Sequence, residues 1–180
     1  MNVTEFRLNL VEEYLKELQL SEKIKNYFCN RTILVTGGAG AIGSNLVITL
    51  SRLVGNDGKI IVLDNLSAIK GEDPIDFPPL NNIMFVKGDI RSDIDLKRVF
   101  REKPSIVYHL AAFFANQNSV DYPEKSADVD ISGIIKLLDM AQFTNVEKFI
   151  YASSGCAIYG SYGEMPLKED FISLHLTTPY

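Results

Sequence analysis

From residue 31 onward, short runs of apolar and β-branched residues alternate with segments in which apolar positions recur at helical spacing. The runs predict strands at 33–35, 59–63, 83–86, 106–108 and 148–152, and the helical segments lie at 42–54, 94–101 and 123–143. Strands that are apolar throughout, alternating with amphipathic helices, are typical of a parallel sheet covered on both faces. Because the crossovers in such sheets are right-handed, we predict an α/β, doubly wound parallel sheet with helices on both faces.

Residues 1–30 follow a different pattern. Their apolar residues recur at 3-4-3 spacing among polar ones, at Leu8, Val11, Leu15 and Leu18. This spacing predicts an amphipathic helix with one apolar stripe, and Ser21 predicts the start of a second short helix that reaches about Phe28. We therefore expect a helical N-terminal extension at 1–30, whose stripe packs against a main domain at 31–180. A dimer contact is the alternative use of the stripe.

The composition is that of a folded globular protein, with 180 residues, 46% hydrophobic and 23% charged residues, and a formal net charge of −5. This length suits one sizeable domain. The acidic excess makes nucleic acid and anionic membranes poor partners, and no window has the ~18 uninterrupted apolar residues of a membrane span. Cys29 and Cys156 form neither a disulfide framework nor a metal-binding cluster. We expect no metal and a cytoplasmic location.

A glycine-rich segment, residues 36–43, connects the first predicted strand to the following helix. Glycines let the backbone turn sharply and let a diphosphate approach, while the helix N-terminus presents free N–H groups to the anion. A glycine string alone is weak, but its position between strand and helix predicts a Rossmann-type dinucleotide site. The residues expected to bind the cofactor there are Gly37, Gly40, Ala41, Ile42 and Gly43.

Asp64 closes the second predicted strand. A carboxylate at this place can accept hydrogen bonds from the adenosine ribose hydroxyls, and it would repel a 2′-phosphate, so NAD is favoured over NADP. The alternative is that Asp64 only caps the turn that follows it.

Five motifs stand in the order found in extended short-chain dehydrogenases/reductases, namely TGGAGAIG at 36–43, DNLS at 64–67, GDI at 88–90, HLAA at 109–112 and SSGCAIYG at 153–160. Over residues 32–180 the chain resembles the NAD-dependent epimerase/dehydratase branch, which acts on nucleotide sugars. The resemblance implies a nucleotide-sugar substrate (UDP-, GDP- or CDP-linked) and a homodimer formed through two helices of each subunit.

The resemblance also implies further cofactor-binding residues. Asp89 and Ile90 would flank the adenine, and the segment after the fourth strand would lie along the nicotinamide ribose. The residues involved in this way are Asn65, Ser67, Asp89, Ile90, Leu110, Ala111, Ala112 and Phe114. His109 could act as a base, but a histidine that ends an apolar strand is more often simply packed in the core.

Catalysis in this family uses a Ser or Thr together with a Tyr and a Lys in the pattern YxxxK, with the Tyr as general acid/base. This chain contains no YxxxK. The resemblance implies that Tyr180, the last residue, is the catalytic Tyr and that Ser154, with Ser153 in reserve, supplies the hydroxyl. Because the Lys would lie four residues further on, we expect the chain to be the front portion of a longer polypeptide that lacks the substrate-binding part.

Several positions depart from the family pattern. Asp130 stands where Asn is usual, Phe114 where some epimerases carry Lys, and Gly155 where the hydroxyl residue is expected. The segment from Gly155 to Ala157 also lacks the acidic residue that dehydratases use for elimination. The sequence therefore favours an epimerase that oxidises C4 and reduces it again from the opposite face. The alternatives are a dehydratase, a reductase, a decarboxylase, or a noncatalytic NAD-binding or scaffold protein.

Overall fold

The computed structural model describes residues 3–68, 80–114, 116–159, 165–171 and 178–179. Within these ranges, five parallel strands form one sheet in the spatial order β3-β2-β1-β4-β5. The strands are β1 (Thr32–Thr36), β2 (Lys59–Asp64), β3 (Ile83–Lys87), β4 (Ile106–His109) and β5 (Lys148–Tyr151). All four neighbouring pairs are parallel. This order confirms the predicted doubly wound sheet, in which the strand order changes direction between β1 and β4.

The described helices lie before, between and after these strands along the chain. They are α1 (Val3–Glu17), α2 (Glu22–Phe28), α3 (Ala41–Val54), α4 (Asp93–Phe100), α5 (Asn116–Asp121), α6 (Pro123–Ala127), α7 (Ile134–Phe143) and α8 (Gly155–Ile158), with a π-helical segment (Asp128–Gly133) between α6 and α7. The Ser21 hydroxyl accepts a hydrogen bond from the Ile24 amide, which confirms it as the N-cap of α2. Ser92 caps α4 in the same way.

Alternate residues of the central strands face opposite sides of the sheet, and each side has its own core. On one side, Ile33, Val35, Ile60 and Val62 pack with Val47, Leu50 and Val54 of α3. On the other, Leu34, Ile61, Leu63 and Val107 pack with residues of α4 and α7, including Leu96, Phe100 and Leu137. Because strand residues on both sides are fully buried, helices cover both faces, as predicted.

The predicted helix at 123–143 is helical throughout but not uniform. The π-helical segment interrupts it, and α5 precedes it over residues that the apolar pattern did not predict as helical. Gly133, at the end of the π-helical segment, lies against Ile90, since a Cβ there would be 2.7 Å from Ile90 Cδ1. The backbone at the end of the π-helical segment therefore lies close to Ile90, three residues beyond the end of β3.

The N-terminal extension lies on α3. Val11 is buried, Leu8 and Leu15 are half-buried, and Glu12 forms an ion pair with Arg52 at 2.8 Å. Leu18, predicted on the same stripe, is instead 44% exposed. The reason is that α1 ends at Glu17, so Leu18 lies beyond the last turn and does not continue the helical periodicity.

Candidate cofactor-binding site

The candidate site lies where the carboxyl ends of β1, β2, β3 and β4 meet. β1 pairs with β2 on one side and with β4 on the other. The chain therefore leaves β1 at the point where the strand order reverses, which is where open α/β sheets form their ligand crevice.

Gly37, the first residue after β1, needs to be glycine for two reasons. Its φ is +68°, a left-handed conformation, and a Cβ there would be 2.6 Å from the Ala111 amide nitrogen and 2.7 Å from the Leu110 carbonyl carbon. Its own N–H donates to the Leu63 carbonyl at 2.9 Å. The turn after β1 is therefore pressed directly against the chain that leaves β4.

The C-terminal end of the glycine segment packs just as closely against the start of the same segment. A Cβ on Gly43 would overlap the Gly37 carbonyl oxygen. Gly40 is the N-cap of α3 and provides no side-chain cap, and the first turn carries no acidic residue. The first N–H groups of a helix have no partner within the helix. Ala41 and Ile42 are exposed in that first turn, so the start of α3 is open to an anion.

Asp64 links the end of β2 to the glycine segment. Its Oδ2 accepts a hydrogen bond from the Ala39 amide at 2.9 Å, and its Oδ1 accepts one from the Leu66 amide at 2.8 Å. The second bond is the turn cap that the sequence left open, and the first is an additional contact. Since each carboxylate oxygen can accept more than one hydrogen bond, Asp64 keeps acceptor capacity for a ligand while its position is fixed.

Asn65 joins the ends of β2 and β3. Its side-chain oxygen accepts from the Ser67 amide at 2.9 Å, and its Nδ2 donates to Asp89 Oδ2 at 2.9 Å. Ser67 and Asn65 are both exposed. The two predicted cofactor-binding turns are therefore in direct contact.

Asp89 is held by a neighbour that the sequence analysis did not single out. Arg91 donates to Asp89 Oδ1 through its amide and Nε, both at 2.9 Å, and to Oδ2 through Nη2 at 2.8 Å. These hydrogen bonds from Arg91 lower the pKa of Asp89 well below its usual range, so the carboxylate stays ionised. Arg91 also pairs with Asp128 at 2.7 Å. The sequence signal that could have indicated this contact is the arginine two residues after Asp89, which follows the end of β3.

Ile90 is only 4% exposed and belongs to the core below the sheet end. Its side chain packs against Gly133. A ligand at this strand end would therefore meet the backbone of Ile90 and not its side chain.

At the end of β4, Thr36 and His109 form a buried polar pair. The Thr36 hydroxyl lies 2.7 Å from His109 Nδ1, and its oxygen also accepts from the Ala111 amide at 3.4 Å. His109 is 2% exposed and its ring stacks on Tyr151 at 5.6 Å between centroids. Burial lowers its pKa to about 4. This environment is that of a packed, neutral histidine and not of a general base near neutral pH.

The chain beyond β4 is tied to the π-helical segment. Asp130 Oδ1 accepts from the Phe113 amide at 2.7 Å, and its Oδ2 accepts from the Ser126 hydroxyl at 2.9 Å. Leu110 and Ala111 are half-buried, whereas Ala112 is exposed. Phe114, also predicted to bind the cofactor, is 73% exposed. The carboxylate at 130 thus fixes the backbone that follows Ala112.

Of the two predicted catalytic residues, the structure describes one. Ser154 is half-buried and precedes α8, three residues beyond the end of β5. Tyr180 lies outside the described residues, as does the side chain of Cys156. Among the described residues, no group of three or more His, Cys, Asp or Glu side chains could hold a metal ion, and no helix is long and apolar enough to cross a membrane.

The model of the NAD dependent epimerase/dehydratase family matches residues 33–180. The chain belongs to this family. The match confirms the resemblance seen in the five motifs, and it begins after the N-terminal extension. This family member is 36% identical over 148 residues to a UDP-glucose 4-epimerase of Mycolicibacterium smegmatis, covering 82% of this chain and 46% of that protein.

Solved structures agree with the fold. An epimerase from Methanothermobacter thermautotrophicus has a TM-score of 0.79 and 49% identity, covering 88% of this chain and 45% of that one. A UDP-glucose 4-epimerase from Thermus thermophilus in complex with NAD has a TM-score of 0.69 and 35% identity, covering 83% of this chain and 46% of that one. This epimerase/dehydratase family chain therefore spans a little under half the length of these three proteins.

Proposed function

We propose that this chain provides the NAD-binding part, with catalytic residues, of a UDP-sugar 4-epimerase. One observation carries the proposal. The glycine turn at Gly37 is pressed against Ala111, and the Asp64 carboxylate is bonded to the amide of Ala39 in the same turn. This arrangement places a tight backbone turn and one acidic group beside the open start of α3, as a dinucleotide requires. The named relatives support the reaction.

The residues present fit NAD. A Cβ on Gly37 or Gly43 would overlap backbone atoms of the chain itself, so the glycines allow the tight turn to form, and the start of α3 is open to the diphosphate. Asp64 would accept from the adenosine ribose hydroxyls and would oppose a 2′-phosphate, which favours NAD over NADP. When bound, NAD supplies the chemistry of hydride removal from the sugar and its return.

The chain's own residues would bind and orient the reactants. Asp89 would lie beside the adenine, and to accept from its amino group it would have to exchange one of the four hydrogen bonds that Arg91 and Asn65 donate to its oxygens. Leu110, Ala111 and Ala112 would border the nicotinamide ribose. In the catalytic step, Ser154 would polarise the reacting oxygen and Tyr180 would take its proton and return it.

We also propose a homodimer and a cytoplasmic location. The helix that runs through the π-helical segment into α7 exposes an apolar ridge at i, i+4 and i+7, consisting of Ile131, Ile135 and Leu138, which are 57%, 53% and 44% exposed. Burying such a ridge against its copy would remove apolar surface from water. Light scattering of the wild type and of Ile135→Glu tests this, because the variant should shift the mass from dimer to monomer. A monomeric wild type would contradict the dimer.

Product analysis tests the activity. The full-length protein is incubated with NAD and separate UDP-, GDP- and CDP-sugars, and the products are identified by NMR while absorbance at ~340 nm follows NADH. We expect C4 inversion of a UDP-sugar without net NADH. Net NADH would indicate a dehydrogenase, and binding of NAD with no turnover of any sugar would favour the scaffold alternative.

A further inference from the structure

The N-terminal extension places an arginine beside the helix that begins the dinucleotide site. Arg7 Nη2 donates to the Ser44 hydroxyl at 2.8 Å and to the Asn45 side-chain oxygen at 3.2 Å. Asn45 in turn donates through Nδ2 to the Ala41 carbonyl at 2.8 Å, in the first turn of α3. Ser44 is 7% exposed, so this contact is partly buried.

This position is electrostatically unusual. Both acceptors of Arg7 are neutral, so neither neutralises its charge. The N-terminus of a helix carries a partial positive charge, and a nearby cation is disfavoured there while an anion is favoured. Arg52, which also links α1 to α3, lies in contrast where a cation is favoured. Arg52 lies in the last turn of α3, where the dipole favours a cation, and it pairs with Glu12 at 2.8 Å.

A cation near the positive N-terminus of a helix is disfavoured when the site is empty, and an anion bound at that end would offset this repulsion. We propose that Arg7 is a positioning residue that strengthens the binding of the dinucleotide diphosphate, acting through Ser44, Asn45 and the field at the start of α3. The proposal rests on the proposed NAD site. Arg7 lies before residues 33–180, which the family model matches, so this contribution comes from the extension and not from the part that the family shares.

The expected size follows from charge alone. At a separation of ~10 Å, one positive charge and a diphosphate of two negative charges attract enough in water for a change of roughly fourfold in the dissociation constant. Because exposed charges at this separation are screened above ~0.1 M salt, the effect should shrink as salt is added.

Calorimetry on the full-length protein tests the proposal, with NAD and ADP-ribose as probes at low and high NaCl. Arg7→Gln keeps amide donors for Ser44 but removes the charge, and Arg7→Lys keeps the charge. Arg52→Gln is the matched control, since it loosens the same pair of helices far from the diphosphate. We expect Arg7→Gln to weaken the binding of both probes by roughly fourfold at low salt and by less at high salt. Arg7→Lys should restore most of the affinity, and Arg52→Gln should change neither probe.

The outcomes separate the two proposals. If the wild type binds NAD and Arg7→Gln binds it equally well, Arg7 only attaches the helix and the inference is wrong. Equal weakening by Arg7→Gln and Arg52→Gln would also overturn it, because helix attachment alone would explain the loss. If Arg7→Gln does not fold, the test is the NAD affinity of Arg7→Lys and of the wild type at the two salt concentrations. Because both proteins carry the same charge at position 7, the proposal predicts that their affinities depend equally on salt. A wild type that binds no NAD overturns both proposals.

Discussion

Replacing Gly37 by alanine should damage this protein more than the same change at Gly55, although both glycines have positive φ angles of 68° and 73°. An alanine at Gly55 meets no atom outside its own stretch of chain, because a Cβ there would have nothing else within 4 Å, so only the strain of the positive φ remains. At Gly37, a Cβ would meet backbone atoms of Leu110 and Ala111 at 2.6–2.8 Å. Backbone atoms at the end of a paired strand cannot move away as a flexible side chain can.

The magnitude can be worked from these two environments. A residue held in a sparsely populated backbone conformation costs about 1–3 kcal/mol, and this applies to both variants. Overlap in a packed region adds about 1–3 kcal/mol, and this applies only to Gly37→Ala. We therefore expect the free energy of unfolding to fall further for Gly37→Ala, by about that second amount, when both variants are compared by urea denaturation.

Ligand binding should separate the variants more strongly. Gly37→Ala should displace the turn that we propose faces the diphosphate, so calorimetry should show a loss of NAD affinity of at least tenfold, while Gly55→Ala should bind as the wild type does. Equal destabilisation by the two substitutions, or unchanged NAD affinity in Gly37→Ala, would refute the role assigned to the close approach between the glycine turn and the chain after β4.

Three further predictions concern single side chains. Asp64→Asn should weaken NAD binding and raise the relative affinity for NADP, measured by calorimetry with both dinucleotides; an unchanged ratio would argue against a ribose-binding carboxylate. The pKa of His109 is lowered from 6.5 to about 4 by burial, so the unfolded chain takes up this proton first as the pH falls. The contribution of His109 to the free energy of unfolding should be full above about pH 6.5 and decline by about 3 kcal/mol towards pH 4. Urea denaturation across this range should show a weaker decline in His109→Asn than in the wild type. An identical decline in the two proteins would contradict the lowered pKa of His109. Asp130→Ala should lower stability by about 1–3 kcal/mol by leaving the Phe113 amide unpaired, whereas Asp130→Asn keeps an acceptor and should lose less; the reverse order in thermal denaturation would count against the contact.

Local patterns predicted the elements that bury apolar residues. In the structure, the strands predicted at 33–35 and 106–108 are longer by at most one residue at either end. Thr36 and His109 were not predicted as strand residues because they are polar, but both are buried and continue the strand pairing. The helix α5 was not predicted, since its sequence NQNSVD carries almost no apolar periodicity. The apolar stripe that begins at Leu8 was predicted to continue to Leu18, beyond the end of α1, because the pattern does not show where the helix ends.

The geometry of the candidate site was predictable where it depends on neighbours in sequence. The glycine turn between β1 and α3 and the place of Asp64 at the end of β2 followed from the elements around them, while their part in NAD binding stays a prediction. The partners of Asp130 did not follow in this way, because Phe113 lies on the far side of two intervening helices and no spacing rule links the two. In the sequence, Asp130 was only a departure from the Asn that is usual in the family. In the structure, the Ser126 hydroxyl supplies the donor that a carboxylate needs.

The π-helical segment Asp128–Gly133 fixes how its two flanking helices face. Asp130 points to the chain after β4, while Leu137 in α7 is fully buried in the core. Each residue advances a helix by about 100°, so deletion of a single residue between these two positions would rotate one of them out of place. This stretch should therefore tolerate substitutions at its exposed positions but no change in length, and naturally occurring variants of the chain should differ there in composition without gaining or losing a residue.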